Sequence, residues 1–304
     1  MNIIHLAAMD MDGGTYQYMN IIHLAAMDMD GTLLDDQKKV SKETLGVLEA
    51  LKARGIPTAF STGRPLPEVT LYPELTKLIP YAILSSGALV MDLRSGDVLQ
   101  KSTISAETVL TILRLAAQED VIPHLMSYTD SVCRQRDIGH FAAHHMGVYE
   151  PMYRKICVKV DDMEPYVRAH PDRLIKLNLY HTDPAARART EERLQGLPVQ
   201  LVHAEYSSLE CTAPGIGKDS GLDFLCRFLG TTPDHALAAG DSDNDLSMLK
   251  AAGLGVAMGN APEAIRAAAD YVTADNNHDG VAEALKRFLP LMQPPKGYAH
   301  DRAI

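Results

Sequence analysis

Two aspartates one residue apart, Asp28 and Asp30, follow the apolar run Ile21-Ile22-His23-Leu24-Ala25-Ala26-Met27 and lead into Gly31-Thr32. An aliphatic run that ends in acids and glycine predicts a buried strand opening into a loop. Carboxylates there are costly unless they hold a cation or do chemistry. Alternation along an extended chain points the pair to opposite sides, which predicts different jobs: one nucleophile and one proton carrier. An Asp-Gly turn would account for five such residues standing alone. Other clusters accompany them: Ser61-Thr62-Gly63-Arg64 after the apolar residues 56–60, and Gly240-Asp241-Ser242-Asp243-Asn244-Asp245 after residues 236–239. Between these two, Lys218 begins an amphipathic stretch carrying Leu222, Leu225, Cys226 and Leu229.

This set suits phosphoryl transfer. A hard cation such as magnesium takes oxygen ligands and keeps several waters, and Asp28 and Asp241 could supply carboxylates from neighbouring strands. A carboxylate that attacks phosphorus splits a hard hydrolysis into two easier steps. A lysine at a helix start is poor capping chemistry, because that end favours anions; it makes sense where a phosphate must also be held.

The elements that position these residues read as an α/β fold, a doubly wound parallel sheet with an inserted α+β domain. Ser41, Glu43 and the spacing of Leu45, Leu48 and Leu51 predict a capped helix that stops at Gly55. Strands follow at 56–60 and 81–84, the latter leading to Ser85-Ser86-Gly87, and a hairpin spans 89–103. Alternation of strand and helix implies a parallel sheet that binds ligands at strand carboxyl ends. Residues 104–204 differ in texture: a helix at 106–119, strands near 123–126, 156–160 and 174–180, and a helix at 184–194. The parallel-sheet pattern is expected to return at 205, with a strand at 208–212, and to run to 291, with 292–304 a mobile tail. His140, His144 and His145 have helical spacing, but no acidic or cysteine partner sits at matching distance, so a helix face is the expectation. Asp161-Asp162 reads as a solvated turn.

Residues 1–13 recur unchanged as residues 19–31. Identity that complete resembles a duplicated start more than a structural repeat. Gly14-Thr15-Tyr16-Gln17-Tyr18 offer no turn-then-helix continuation, whereas Thr32-Leu33-Leu34-Asp35 lead into one. The central strand is therefore expected at 20–28, with 1–18 a disordered extension and Asp10 and Asp12 decoys. Pairing of the first copy at a sheet edge is the alternative.

Bulk properties narrow the function classes. The chain has 304 residues, 46% of them hydrophobic, and a formal net charge of -10. That charge disfavours nucleic acid or an anionic membrane as a partner. No apolar run approaches the ~20 residues of a membrane span. The four cysteines form no CxxC pair and read as reduced thiols of a cytoplasmic protein. Oligomeric state is not legible.

In order and spacing, Asp28-x-Asp30-Gly-Thr, Ser61-Thr62-Gly63-Arg64, Lys218 and Gly240-Asp241-x-x-Asn244-Asp245 resemble the four motifs of the haloacid dehalogenase-like (HAD) phosphatases. The insert between the second and third motifs, with Gly-Asn-Ala-Pro-Glu at 259–263 and Asn-His-Asp-Gly-Val at 277–281, resembles the Cof-type, IIB branch. The resemblance implies a Rossmannoid core from 19–103 and 205–291 and a C2B-type cap from 104–204. It implies that Asp28 is nucleophile and magnesium ligand. Asp30 would be the acid/base, with its carbonyl reaching the metal. Thr62, Gly63, Lys218 and Asn244 would bind phosphate, Arg64 and Ser86 would meet substrate, and Asp241 and Asp245 would complete the metal site. Many relatives have Asn where this chain has Ser86. The implied activity is magnesium-dependent hydrolysis of a small soluble phosphoester, such as a sugar phosphate. Alternatives are a sugar phosphomutase or phosphotransferase and a non-catalytic phosphometabolite-binding protein; the last is disfavoured because Asp28, Asp30 and Asp241 are all present.

Overall fold

The computed structural model describes residues 20–298. The first copy of the repeat, with Asp10 and Asp12, lies outside the described residues. The second copy supplies β1 (Leu24–Met27), shorter than the expected 20–28. The other strands of its sheet are β2 (Thr58–Ser61), β3 (Tyr81–Leu84), β4 (Leu89–Asp92), β5 (Asp97–Lys101), β12 (Ala236–Gly240), β13 (Leu254–Ala257) and β14 (Tyr271–Val272). Their order is β14-β13-β12-β1-β2-β3-β4-β5. From β14 to β3 the neighbours are parallel, and β4 and β5 turn back as an antiparallel edge.

The β1 side chains show why the sheet is covered on both faces. Ala25 and Met27 join the core beneath the helices Lys42–Ala53 and Gly280–Phe288. Leu24 and Ala26, pointing the other way, pack with Leu222, Leu225 and Met248 beneath the helices Lys218–Phe228 and Leu246–Ala251. The first helix is capped as expected: Ser41 Oγ accepts the Thr44 N–H at 3.0 Å, and Gly55 beyond its end takes φ +67°. The strand order reverses beside β1, where the crevice at the strand ends opens.

A second sheet has the order β10-β11-β9-β6-β7-β8, formed by β6 (Val121–Ser127), β7 (Ser131–Arg134), β8 (Val158–Val160), β9 (Leu174–His181), β10 (Gln200–Ala204) and β11 (Ser208–Thr212). Its outward face carries Leu125, Leu177, Leu179, Leu209 and Cys211 against the helices Ala106–Ala116, Met163–Ala169 and Pro184–Leu194. The alternate residues form a polar face: Asn178 lies between Glu210 and His124, and Lys176 between Thr212 and Met126.

Three expectations change. The strand 208–212 belongs to this second sheet and not to the first, because β10 and β11 form a hairpin whose β11 pairs with β9. Residues 141–144 form a single 3-10 turn, and His145 ends it in a left-handed conformation, so the three histidines share no helix face. The start of the expected mobile tail is docked: Met292 is buried, and backbone bonds run from Ile22 to Leu291 and from Gln293 to Ile22, both at 2.9 Å. The apolar pair Leu291-Met292 outweighs the flanking prolines there. Asp162 caps the helix Met163–Ala169 and stays exposed, in keeping with a solvated turn.

Candidate active site

Asp28, Thr62 and Asp241 directly follow β1, β2 and β12. The parallel register aligns these ends, so motifs 209 residues apart share hydrogen bonds. The Asp28 N–H donates to Ala239 across the strand pair at 2.9 Å. Lys218, at the start of its helix, is 1% exposed, and its Nζ donates to Asp28 Oδ1 at 2.8 Å and Asp245 Oδ1 at 2.6 Å. Asp245 Oδ2 accepts the Asp241 and Ser242 N–H groups, both at 3.0 Å. Thr32 Oγ1 donates to Asp241 Oδ1 at 2.9 Å. One carboxylate oxygen from each of Asp28, Asp241 and Asp245 lies within 4.8 Å of the others. Among the described residues this is the one group of three or more His, Cys, Asp or Glu side chains whose ligand atoms converge in this way.

Two glycines permit the close approach. Gly31 (φ +73°) lies so near the Asp241 carboxylate that a Cβ would collide with it. A Cβ on Gly87 (φ +95°) would collide with the Gly217 carbonyl, where the loop after β3 meets the head of the Lys218 helix. Ser85 and Ser86 before it also have positive φ, 49° and 56°, strain of a kind that gathers at functional sites.

Burial pushes the Asp28 carboxyl up; Lys218 opposes this, while Asp245 and Asp30 add to it. Asp241 is raised by burial and by Asp28 and Asp245. Asp30 behaves oppositely. Burial would raise it, but Arg64 and Lys38 outweigh burial and hold it well below the usual carboxylate range. Arg64 Nε meets Asp30 Oδ2 at 2.6 Å, Arg64 Nη2 meets Oδ1 at 2.8 Å, and Lys38 Nζ meets Oδ1 at 2.7 Å. The two aspartates thus face separate surroundings, with Asp30's side chain outside the three-carboxylate cluster.

The remaining expected residues converge on the same place. Thr62 is buried, and its Oγ1 accepts the Arg64 N–H at 3.2 Å. The Gly63 carbonyl and Ser86 Oγ both accept from Lys176 Nζ, at 3.1 and 2.8 Å. Asn244 Oδ1 accepts from Ser242 Oγ at 2.8 Å. Asp28, Asp30, Thr62, Gly63, Arg64, Asp241 and Asn244 line one cavity of about 330 Å³ between the two sheets. A groove of about 790 Å³ on the second unit, around the helix Ala106–Ala116, holds none of them.

Several residues of the second unit that line this cavity or lie just behind it were not expected from the sequence. Lys176 is fully buried, and its Nζ meets Glu210 Oε1 at 2.7 Å, while Ser86 Oγ donates to Glu210 Oε2 at 2.6 Å. Tyr149, Asn178, Glu205 and, from the first unit, Lys38 and Glu68 also line it. A lysine and a glutamate inside otherwise apolar strands were the available signal.

Burial pushes the Glu68 carboxyl up to about 7, with Arg64 opposing and Asp30 adding to the rise. The folded state then holds a proton that the unfolded chain has released, so stability falls as pH rises from about 4.5 to 7 and levels off above. Glu68→Gln is expected to leave stability unchanged near pH 4. It should stabilise the protein on the order of 3 kcal/mol at pH 8, read from urea midpoints across pH.

Comparison with known proteins gives the family. The family model for haloacid dehalogenase-like hydrolases matches residues 25–285. A putative phosphatase of Bacillus subtilis is 30% identical over 292 residues, 93% of this chain and 98% of that protein. The 5-amino-6-(5-phospho-D-ribitylamino)uracil phosphatase of the same species is 27% identical, covering 94% and 96%. A haloacid dehalogenase-like hydrolase from Bacteroides thetaiotaomicron superposes with a TM-score of 0.74 at 28% identity, covering 88% of this chain and 99% of that one. A sugar phosphatase of HAD subclass IIB gives 0.74 at 26% identity, covering 87% and 98%. The chain belongs to the haloacid dehalogenase-like hydrolases, in their Cof-type phosphatase branch, and is a phosphoric monoester hydrolase.

Proposed function

We propose that this protein is a magnesium-dependent phosphatase that hydrolyses a small soluble phosphoester, of the sugar-phosphate class, through a phosphorylated Asp28. The observation that carries this reading is the cluster of the Asp28, Asp241 and Asp245 carboxylates, in which Asp28 and Asp241 line the cavity and buried Lys218 bridges Asp28 to Asp245 behind it. An all-oxygen donor set with an excess of negative charge fits a hard divalent cation. Asp28 and Asp241 would hold it with the Asp30 carbonyl, and Asp245 would orient its waters. When bound, magnesium supplies positive charge to the transferring phosphoryl group.

The chain's own residues do the rest. Asp28 attacks phosphorus, and the phosphorus–oxygen bond to the leaving group breaks. Lys218, Thr62, the Gly63 backbone and Asn244 position the phosphoryl oxygens and balance their charge. Asp30 supplies a proton to the departing alkoxide, then takes one from the water that attacks the phosphorylated aspartate. In the present arrangement Asp30 is an ionised acceptor, so delivering a proton requires Arg64 or Lys38 to move off it. The second unit, centred on 104–204 and including β11, serves as a cap that shuts out bulk water and selects the leaving group.

Metal binding is separable from turnover. Magnesium at about 1,000 times its dissociation constant is expected to add about 4 kcal/mol of stability, seen as a rise in melting temperature over EDTA-treated protein. Asp241→Asn relieves carboxylate repulsion and should melt higher than wild type in EDTA, yet gain little from magnesium. A wild-type melting temperature insensitive to magnesium would remove the metal from this reading.

A further inference from the structure

The phosphoryl end of the cavity has the proposed cation and, bonded to Asp28 behind it, Lys218; among the described residues the leaving-group end has no positive charge outside an ion pair. Its cations, Lys38 and Arg64, are both bound to Asp30. Lys176, buried in the polar sheet face that roofs the cavity, is bound to Glu210. The acceptors are less committed. Glu205 stands exposed in the turn between β10 and β11 and lines the cavity. Its one hydrogen bond among the described residues comes from Tyr149 Oη at 3.0 Å. Tyr149 Oη in turn receives Lys38 Nζ at 3.1 Å, so Glu205 lies two side chains from the lysine that contacts Asp30.

A second observation shows the same shortage of donors. Asn178 lines the cavity from the centre of the polar sheet face and is 8% exposed, and its Oδ1 has no hydrogen-bond donor among the described residues. Its Nδ2 is turned to Tyr180 Oη at 3.3 Å. The roof therefore offers acceptors and negative charge. A hydroxyl or amine can meet those acceptors, whereas a second anionic group would face the like charge of Glu205 and could gain a cation only in competition with Asp30.

We propose that Glu205 is a specificity-determining residue that admits leaving groups rich in hydroxyl or amine donors and rejects those bearing a second anionic group. The proposal rests on the phosphatase reading and adds to it the chemistry of the leaving group. Glu205 acts through the substrate's far end: its effect falls mainly on KM, because the repulsion is felt in the ground state as well as in the transition state.

The test uses a matched pair of esters, sorbitol 6-phosphate and 6-phosphogluconate, which differ by a hydroxymethyl against a carboxylate at the end remote from phosphorus. The full-length protein with magnesium is expected to prefer sorbitol 6-phosphate by about tenfold or more in kcat/KM. Glu205→Gln should shrink that ratio several-fold, and Glu205→Lys should shrink it further or reverse it, with melting curves confirming the fold. A wild-type ratio near one or reversed overturns the proposal. So does a ratio unchanged in both folded variants. Turnover of an aryl phosphate but of neither polyol ester overturns it while leaving the phosphatase reading standing. No turnover of any ester sinks the reading on which it rests.

Discussion

Asp28→Asn is expected to lower phosphatase turnover by roughly 10⁴-fold or more while leaving a folded protein. The amide keeps the shape of the side chain and an oxygen that can still accept from Lys218, at present 2.8 Å from Asp28 Oδ1. It cannot form the acyl phosphate through a free carboxylate. It also removes one negative charge from a group of three carboxylates of which two are buried, so the metal-free variant should melt at or above the wild-type temperature. Loss of activity with gain of stability is the signature of a group held for chemistry at a cost to folding. Asp10→Asn, in the identical first copy, should leave turnover as it is. Full activity in Asp28→Asn, or equal loss in Asp10→Asn, contradicts the assignment.

Lys218→Met carries the second large effect, and there activity and stability fall together. The lysine is fully buried and bridges Asp28 and Asp245. Burial alone would lower its pKa, but the two carboxylates more than offset this, so it stays charged. Removing it leaves two buried carboxylates without their cation, expected to cost about 3–5 kcal/mol at neutral pH. The deficit should shrink as pH falls, because the stranded carboxylates take up protons, and magnesium should restore part of it. Turnover should drop about 10²- to 10³-fold through loss of charge opposite the phosphoryl group. Urea unfolding across pH and steady-state rates check both halves. A variant as stable as wild type at neutral pH would mean that the bridge does not hold the floor of the site together.

The line between legible and hidden residues runs along sequence distance. Asp28, Thr62 and Asp241 were legible because each comes after a short apolar run, and a parallel sheet aligns such ends without further information. The choice between two identical aspartate pairs was legible only from the residues downstream of each. Thr32, present after the second copy alone at that spacing, is the residue that donates to Asp241. The allegiance of 208–212 was not legible. Leu209 and Cys211 alternate with Glu210 and Thr212 in the same way whichever sheet accepts them, and only the pairing with β9 decides. The roof was hidden for the same reason. Lys176 and Glu210 are 34 positions apart and meet because antiparallel register sets them on one face, beside Ser86 from the other unit. The histidines misled because i, i+4 spacing means proximity only in a helix; in the observed turn His144 reaches Asp120 and His145 reaches the Thr182 carbonyl.

The proposed chemistry turns on Asp28 carrying the phosphoryl group. The measurement that meets it most directly is acid-quenched mass spectrometry of the magnesium-loaded protein during turnover of an aryl phosphate. Fragment ions must separate Asp28 from its copy at Asp10. A phosphoryl adduct is expected on Asp28, appearing within the first turnover, decaying when substrate is exhausted and absent in Asp28→Asn. Steady turnover with no adduct on Asp28 under conditions that preserve acyl phosphates, or with the adduct on Asp10, would contradict it.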